Sequence, residues 1–126
     1  MGNPEPVRTR LPETRAAVTR RFCVPVGDAE LKIYVHAGVY SDGRLGELFI
    51  SSDKAGSLAR GAFDAVALAI SIGLQYGVPL SAYTSKMIGM SFEPSGFTGD
   101  AEYPRCTSVL DLIARWLRAR FERHGA

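Results

Sequence analysis

Residues 19–51 read TRRFCVPVGDAELKIYVHAGVYSDGRLGELFIS and decide the fold. Three runs in this stretch, at residues 19–26, 30–39 and 44–51, are rich in β-branched and aromatic side chains. Such runs favour strands, and the short segments with Gly and Asp between them favour tight turns. The stretch therefore predicts a three-stranded antiparallel β-meander.

Two turn signals connect these runs. Residues 27–29 (GDA) separate the first two runs, and residues 40–43 (YSDG) separate the second from the third. Gly43 can adopt the positive φ that a bulged hairpin loop requires. We expect the first turn to be centred on Asp28, which sets the register of the first strand pair.

The alternation of side chains along a strand assigns residues to the two faces of this sheet. The face predicted to meet the helices carries Leu31, Ile33, Val35, Leu48 and Ile50. The opposite face is predicted to be more apolar than a solvated face should be. It carries Phe22, Val24, Tyr34, His36 and Phe49. We expect something to cover it, either the N-terminal arm, a ligand or a second subunit.

A long helix follows the meander. Residues 54–76 are rich in alanine and leucine, with Asp53 as a predicted N-cap and Gly77 as a stop signal. Apolar side chains lie nearly all around the stretch 62–74. This pattern predicts a central buried helix that other elements cover on more than one side.

Two further helices complete the prediction. The first spans residues 80–88, and residues 89–105 then form a long loop. The last helix is amphipathic, is capped by Thr107 or Ser108 and has Asp111 in its first turn. The predicted fold is α+β, a three-stranded meander packed on a central helix plus two others. Residues 1–18 are an extended arm, and residues 19–126 form a single domain.

The composition is typical of a folded protein in a reducing compartment. Hydrophobic residues make up 46% and charged residues 22%, and no apolar run of about 20 residues is present to span a bilayer. No secretory signal is recognisable near Met1, so we expect a cytoplasmic location. The two cysteines, Cys23 and Cys106, are too few for a zinc cluster and are predicted to pack as reduced thiols.

Charge is distributed unevenly along the chain. Residues 1–21 carry five arginines against two glutamates, residues 105–126 carry five arginines against two acids, and the middle is acidic. The basic ends can bind an anionic ligand or a nucleic acid, and they can equally pair with the acidic middle. Nucleic-acid binding is the weaker alternative, since no basic stripe is interleaved with aromatic residues.

Three groups of residues are candidates for a nucleotide site. Lys54, Gly56 and Ser57 lie at the start of the long helix, where unpaired N–H groups attract phosphate. A plain capped helix start explains the same residues, and a Walker motif is absent. The other two groups are the aromatic rings of the long loop and the arginines of the last helix. Their members are Phe92, Phe97, Arg115 and Arg118.

No catalytic or metal-binding set is predicted. A nucleophilic pair would need Cys23 and His36 on one face of the sheet, whereas the expected register places Cys23 opposite Ile33 and His36 opposite Arg20. No spacing of potential ligands suggests a metal site.

Several segments, taken in order, resemble the TSCPD domain near the C-terminus of adenosylcobalamin-dependent ribonucleotide reductases. They are residues 11–15 (LPETR) leading into 19–22 (TRRF), 40–50 (YSDGRLGELFI), 54–57 (KAGS), 69–80 (AISIGLQYGVPL), 92–98 (FEPSGFT) and 108–117 (SVLDLIARWL). Each segment alone is a weak signal, but together they cover about 115 residues in register.

The resemblance implies a domain separated from the catalytic parts of such an enzyme. The family's reductase chemistry implies a long barrel, a radical cysteine, a reducing cysteine pair and a cobalamin site, and 126 residues with two cysteines lack room for them. We therefore expect a non-catalytic accessory or interaction domain linked to deoxynucleotide metabolism, with no cofactor of its own.

Two alternatives for the function remain open. One is a small nucleotide-binding or nucleotide-sequestering protein of the phage or prophage type, and the other is nucleic-acid binding. For the accessory domain and for the nucleotide-binding protein we expect a homo-oligomer, with a ribonucleotide reductase subunit or a nucleotide as the further partner.

Overall fold

The computed structural model describes residues 5–53 and 56–122 and has the predicted α+β architecture. The elements are β1 (Ala17–Val26), β2 (Ala29–Val39), β3 (Leu45–Ser52), α1 (Ser57–Gln75), α2 (Leu80–Met87), β4 (Gly96–Phe97), β5 (Arg105–Cys106) and α3 (Val109–Phe121). The first three strands form an antiparallel sheet in the order β1-β2-β3, and β4 pairs with β5 in a second, two-stranded sheet.

The β1–β2 hairpin differs from the prediction by one residue of register. Its turn has only two residues, 27 and 28, so Phe22 pairs with Ile33, whereas the prediction paired Cys23 with Ile33. A slip of one residue moves every side chain of a strand to the other face. Phe22 and Val24, predicted on the outer face, therefore lie in the core, where they are 1% and 0% exposed.

The two faces of the sheet otherwise follow the prediction. The residues expected to face the helices are all buried in one cluster: Leu31, Ile33, Val35, Leu48 and Ile50. On the outer face Tyr34 is half-buried, His36 is exposed and Phe49 is 55% exposed. Gly43 has φ of +90°, as its place in the second turn requires.

Helix α1 begins later than predicted. Its N-cap is Gly56, not Asp53, because the Asp53 carboxylate accepts a hydrogen bond from the backbone N–H of Lys32 at 2.9 Å. This bond ties the end of β3 to β2, and α1 starts at Ser57. The helix ends at Gln75, close to the stop signal at Gly77.

Burial of α1 is restricted to one face. Phe63, Ala67 and Ile70 pack on the core, whereas Leu58 and Leu68 on other sides of the helix are 87% and 61% exposed. The burial on several sides that we predicted for residues 62–74 is not observed, and α3 is the more completely buried helix.

By length and composition α1 is apolar enough to cross a membrane, but a single helix of this kind is weak support for a membrane span.

Polar side chains of α1 close the free edge of β3. Leu48 donates its N–H to the Ser71 hydroxyl at 2.8 Å, and the same hydroxyl is 3.1 Å from the Leu48 carbonyl oxygen. Gln75 donates its side-chain N–H to the carbonyl of Gly46 at 2.9 Å. An edge strand exposes unpaired backbone groups, and here the helix satisfies them.

The N-terminal arm, residues 5–16, is held by hydrogen bonds to α1 and to the sheet. The backbone N–H of Thr9 donates to the Gln75 carbonyl at 2.8 Å, and the Tyr40 hydroxyl donates to the Thr9 carbonyl at 2.5 Å. The Arg15 guanidinium donates to both carboxylate oxygens of Glu47, at 2.7 Å each. The basic N-terminus thus pairs in part with the acidic middle of the chain.

Helix α3 supplies most of the remaining core. Ser108 is its N-cap and accepts a hydrogen bond from the Asp111 N–H at 3.0 Å, which confirms the predicted cap. Trp116 packs edge-to-face against Phe22 of β1, with the ring centroids 6.4 Å apart, and against Phe121 at 5.9 Å. Apolar contacts of this kind between α3 and β1 join the last helix to the first strand.

We expect Ser71→Ala to lower the free energy of unfolding by about 1–3 kcal/mol, because it leaves the N–H of Leu48 without its hydrogen-bond acceptor. Urea denaturation of the purified chain measures this change. Ser85→Ala, at an exposed position of α2, is the matched control and should change the value by less than about 0.5 kcal/mol. Equal losses in the two variants would contradict a role of Ser71 at the β3 edge.

Candidate functional site

An apolar groove of about 450 Å³ lies beside the first half of helix α1, and we call it the α1 groove. Its walls come from the tip of the β1–β2 hairpin, the first half of α1 and the segment 92–94, with Leu110 of α3 also in the lining. The side chains that open into it include Val26, Ala62, Phe63, Val66 and Phe92. Its acidic groups are Glu30 and Glu93, which are exposed.

Hydrogen bonds around Asp111 hold the segment that forms one wall of this groove. The Asp111 carboxylate accepts from the backbone N–H groups of Gly89 at 2.8 Å and Thr107 at 3.1 Å. Phe92 donates its N–H to the Thr107 carbonyl at 3.0 Å. The wall is therefore built on α3, although Phe92 itself remains 40% exposed and available for contact.

The second candidate site lies at the β4–β5 hairpin, where a loop was predicted. Phe97 pairs with Arg105 across this hairpin, and the Arg105 guanidinium lies 4.6 Å from the centroid of the Phe97 ring. Arg115 donates to the Arg105 carbonyl and forms an ion pair with Asp111 at 3.1 Å. An open cleft of about 390 Å³ lies beside Arg105 and Arg115, and we call it the hairpin cleft.

One buried donor near the hairpin cleft has no partner. The Nε of Arg115 is inaccessible to solvent and makes no hydrogen bond to any residue in the described part of the chain. Arg105 forms no ion pair with the described residues, and its side chain is exposed. Arg105 and Arg115 line the cleft together with the Asp111 carboxylate, and the Phe97 ring lies beside Arg105 outside this lining. An exposed guanidinium next to an aromatic ring suits an anionic ligand with a planar part.

The structure separates the residues predicted for a nucleotide site into different places. Gly56 and Ser57 lie at the start of α1, on the half of the helix that forms the α1 groove with Phe92. Lys54 lies outside the described residues. The structure brings Phe97 and Arg115 together at the hairpin cleft through Arg105, which sequence reasoning did not single out.

Arg118 belongs to neither site. Its guanidinium lies 3.9 Å from the Glu122 carboxylate, and the same carboxylate accepts a hydrogen bond from Thr84 of α2. This arrangement joins α2 to the end of α3.

Arg105 was not among the residues predicted for a site. It lies on β5, and a strand of two residues has no periodic pattern that a sequence can reveal.

Cys23 and His36 do not form a reactive pair. In the observed register Cys23 and His36 share the outer face of the sheet, contrary to the prediction. They are nevertheless four residues apart along paired strands, or about 13 Å, and the His36 Nδ1 lies 2.9 Å from the Thr19 hydroxyl. Burial raises the pKa of the Cys106 thiol, and the Asp111 carboxylate raises it further. A thiol of this kind is a poor nucleophile at neutral pH.

Metal binding finds no support in the described residues. Across residues 5–53 and 56–122, no group of three or more His, Cys, Asp or Glu side chains is placed to hold an ion. The two buried carboxylates, Glu47 and Asp111, instead form the structural bonds described above.

An ion pair fixes the tip of the segment that follows β4. The Asp100 carboxylate accepts from Arg20 of β1 at 2.7 Å and from the N–H groups of Glu102 and Tyr103. Burial acts to raise the pKa of Asp100, but these hydrogen bonds outweigh it and hold the pKa below its usual range. Tyr103 is thereby placed edge-to-face against Phe22, with the ring centroids 6.1 Å apart.

Comparison with known proteins identifies a family and a set of relatives. The TSCPD domain family matches residues 5–121. The Vitamin B12-dependent ribonucleotide reductase of Streptomyces coelicolor is 46% identical over 116 residues, which are 92% of this chain and 12% of that protein. The enzyme of the same name from Rhodopirellula baltica is 41% identical over 117 residues, or 93% of this chain and 11% of that protein.

The match covers only part of each relative. The Vitamin B12-dependent ribonucleotide reductase of Streptantibioticus cattleyicolor, 46% identical over 116 residues, has 19% of its length in the match. The chain thus spans less than a fifth of these relatives, and the matched region is their C-terminal domain. No solved structure matches the chain at a significant level.

We expect Asp100→Asn to lower the free energy of unfolding at neutral pH by about 1–2 kcal/mol. In this variant the free energy of unfolding should also fall less steeply as the pH is lowered. Because the folded pKa of Asp100 is below the ordinary value of 3.8, its stabilisation is present above that value. The stabilisation is lost as pH falls through the folded pKa. Urea denaturation between about pH 7 and pH 2.5 measures this slope. Asp28→Asn, in the exposed β1–β2 turn, is the control, and an unchanged acid slope in Asp100→Asn would contradict the assignment.

Proposed function

The chain belongs to the TSCPD domain family, and from this membership we propose that it is a non-catalytic interaction domain that acts with a vitamin B12-dependent ribonucleotide reductase. Its role is in deoxynucleotide metabolism, and it works through binding. We place it in the cytoplasm beside that enzyme and expect it to form oligomers or complexes there.

The observation that carries this proposal is how the chain uses its polar and apolar groups. Its buried carboxylates make structural bonds, its buried thiol has a raised pKa, and the α1 groove is apolar. Catalytic sites concentrate titratable groups in a cleft, whereas surfaces that bind proteins expose apolar patches. The α1 groove has the second character.

The described residues do not fit a cobalamin. A groove of about 450 Å³ has the size of a site for a drug-sized ligand, and a corrin with its nucleotide tail is far larger. The α1 groove is lined mainly by apolar side chains, which cannot satisfy the many amides of that cofactor. We therefore derive no step through cobalamin for this chain.

Binding and turnover experiments test the proposal together. We expect the purified chain, given adenosylcobalamin and a dithiol, to convert no ribonucleotide, and to sediment as a complex with the intact vitamin B12-dependent reductase of the same cell. Sedimentation velocity and a reductase assay measure the two properties. Turnover by the chain alone, or the absence of a complex with the reductase, would contradict the proposal.

A second candidate function is nucleotide binding at the hairpin cleft. It is favoured by the exposed guanidinium of Arg105, which lies over the Phe97 ring and beside the partly exposed side chain of Arg115. Phosphate groups would lie against the arginines, and a base would stack on the ring.

We expect calorimetry to detect binding of ATP to the wild type. Arg105→Gln should weaken this binding by about 10- to 100-fold, because it removes a charge-assisted hydrogen bond to the phosphates. Arg118→Gln, which removes the same charge from a residue beside Glu122, is the matched control and should bind ATP like the wild type. Equal weakening in both variants would indicate unspecific attraction, and no binding by the wild type would remove this candidate.

A further inference from the structure

The outward side of α1 is an apolar surface without a partner in the described structure. Six of its residues are exposed and none is charged: Leu58, Gly61, Ala62, Ala65, Leu68 and Ala69. The charged residues of the helix are Arg60 and Asp64, and Asp64 lies toward β3, in the same cavity lining as Phe49. We call the six residues the α1 face.

Apolar surface continues on both sides of the α1 face. On one side Ala62 lines the α1 groove together with Val26, which is 48% exposed. On the other side Leu68 lines a second cavity, of about 490 Å³, together with Phe49. The helix is about 28 Å long, so the combined surface is larger than the scattered apolar residues of an ordinary protein surface.

The relatives indicate what lies next to this surface. In each of them the matched domain is C-terminal and is 19% or less of the protein, so most of the chain precedes it. That chain enters the domain through the segment equivalent to residues 5–16. In this structure Thr9 donates its N–H to the carbonyl of Gln75, the last residue of α1, and Arg8 donates to the Gln75 side chain at 2.7 Å. The entering chain therefore reaches the domain at one end of α1.

From this placement we propose that the α1 face docks on the part of the ribonucleotide reductase that precedes this domain in the relatives. The inference rests on the proposed function and names the surface that would carry it. A chain that enters the domain at the end of α1 raises the effective concentration of the surface it carries with respect to the α1 face.

The chemistry of the face defines the segment that binds it. Three small residues, Gly61, Ala65 and Ala69, follow one another at intervals of four along the face. Their small side chains leave a shallow groove into which the side-chain ridge of another helix can pack. The occupant is thus an apolar helix of the reductase. On the side of the α1 groove it meets Glu30 and Glu93, so that flank of the helix carries lysine or arginine.

The test compares two identical substitutions at exposed helical positions. Ala65→Glu places a charge in the middle of the α1 face, and Ala82→Glu places it at an exposed position of α2 that is not one of the six residues of that face. We expect Ala65→Glu to weaken binding to the intact vitamin B12-dependent reductase at least tenfold, whereas Ala82→Glu binds like the wild type. Sedimentation velocity gives the affinity, and thermal unfolding confirms that both variants fold.

The other outcomes distinguish this inference from the proposed function. If the wild type and both variants bind the reductase equally, the proposed function stands and the α1 face is not the docking surface. If the wild type does not bind the reductase, both fail. A wild-type dimer that Ala65→Glu converts to a monomer, or flotation of the wild type with anionic phospholipid vesicles that Ala65→Glu abolishes, would assign the face to a second copy or to a membrane and overturn the inference.

Discussion

The free edge of β3 is the constraint on which the arrangement of the other elements depends. A three-stranded sheet leaves its last strand with unpaired N–H and carbonyl groups, and these need partners. Ser71 and Gln75 of α1 provide them by bonding to Leu48 and Gly46. The helix is therefore held alongside the sheet by polar bonds as well as by the packing of Phe63 and Ile70, and its opposite side is left exposed.

The same position of α1 organises the N-terminal arm. Gln75 receives hydrogen bonds from Arg8 and Thr9 while its own amide bonds to β3, so a single residue connects arm, helix and sheet. The closing helix α3 acts in a comparable way on the other side of the core. Asp111 in its first turn holds Gly89 and Thr107, and the segment that carries Phe92 is thereby fixed against the α1 groove.

These constraints leave the molecule with two kinds of surface. The α1 face is apolar and uncharged, with Asp64 and the acids of the α1 groove at its borders, and it suits a protein partner. Around the β4–β5 hairpin the surface is cationic and aromatic, with Arg105 above Phe97, and it suits an anionic ligand. The chain belongs to the TSCPD domain family, and the relatives that it matches are named as vitamin B12-dependent ribonucleotide reductases.

Local signals in the sequence determined the three strands, the three helices, the positive φ of Gly43 and the cap at Ser108, because each depends on neighbouring residues. The tertiary structure alone decided three other features. The two-residue turn sets a register in which Phe22 and Val24 lie in the core. The Asp53 carboxylate bonds to the Lys32 N–H, and α1 begins after it, at Ser57. Pairing of β4 with β5 places Phe97 beside Arg105, whose carbonyl accepts a hydrogen bond from Arg115. The reason is that each of these features depends on contacts across a turn or between distant segments, and the pattern of any one segment does not contain them.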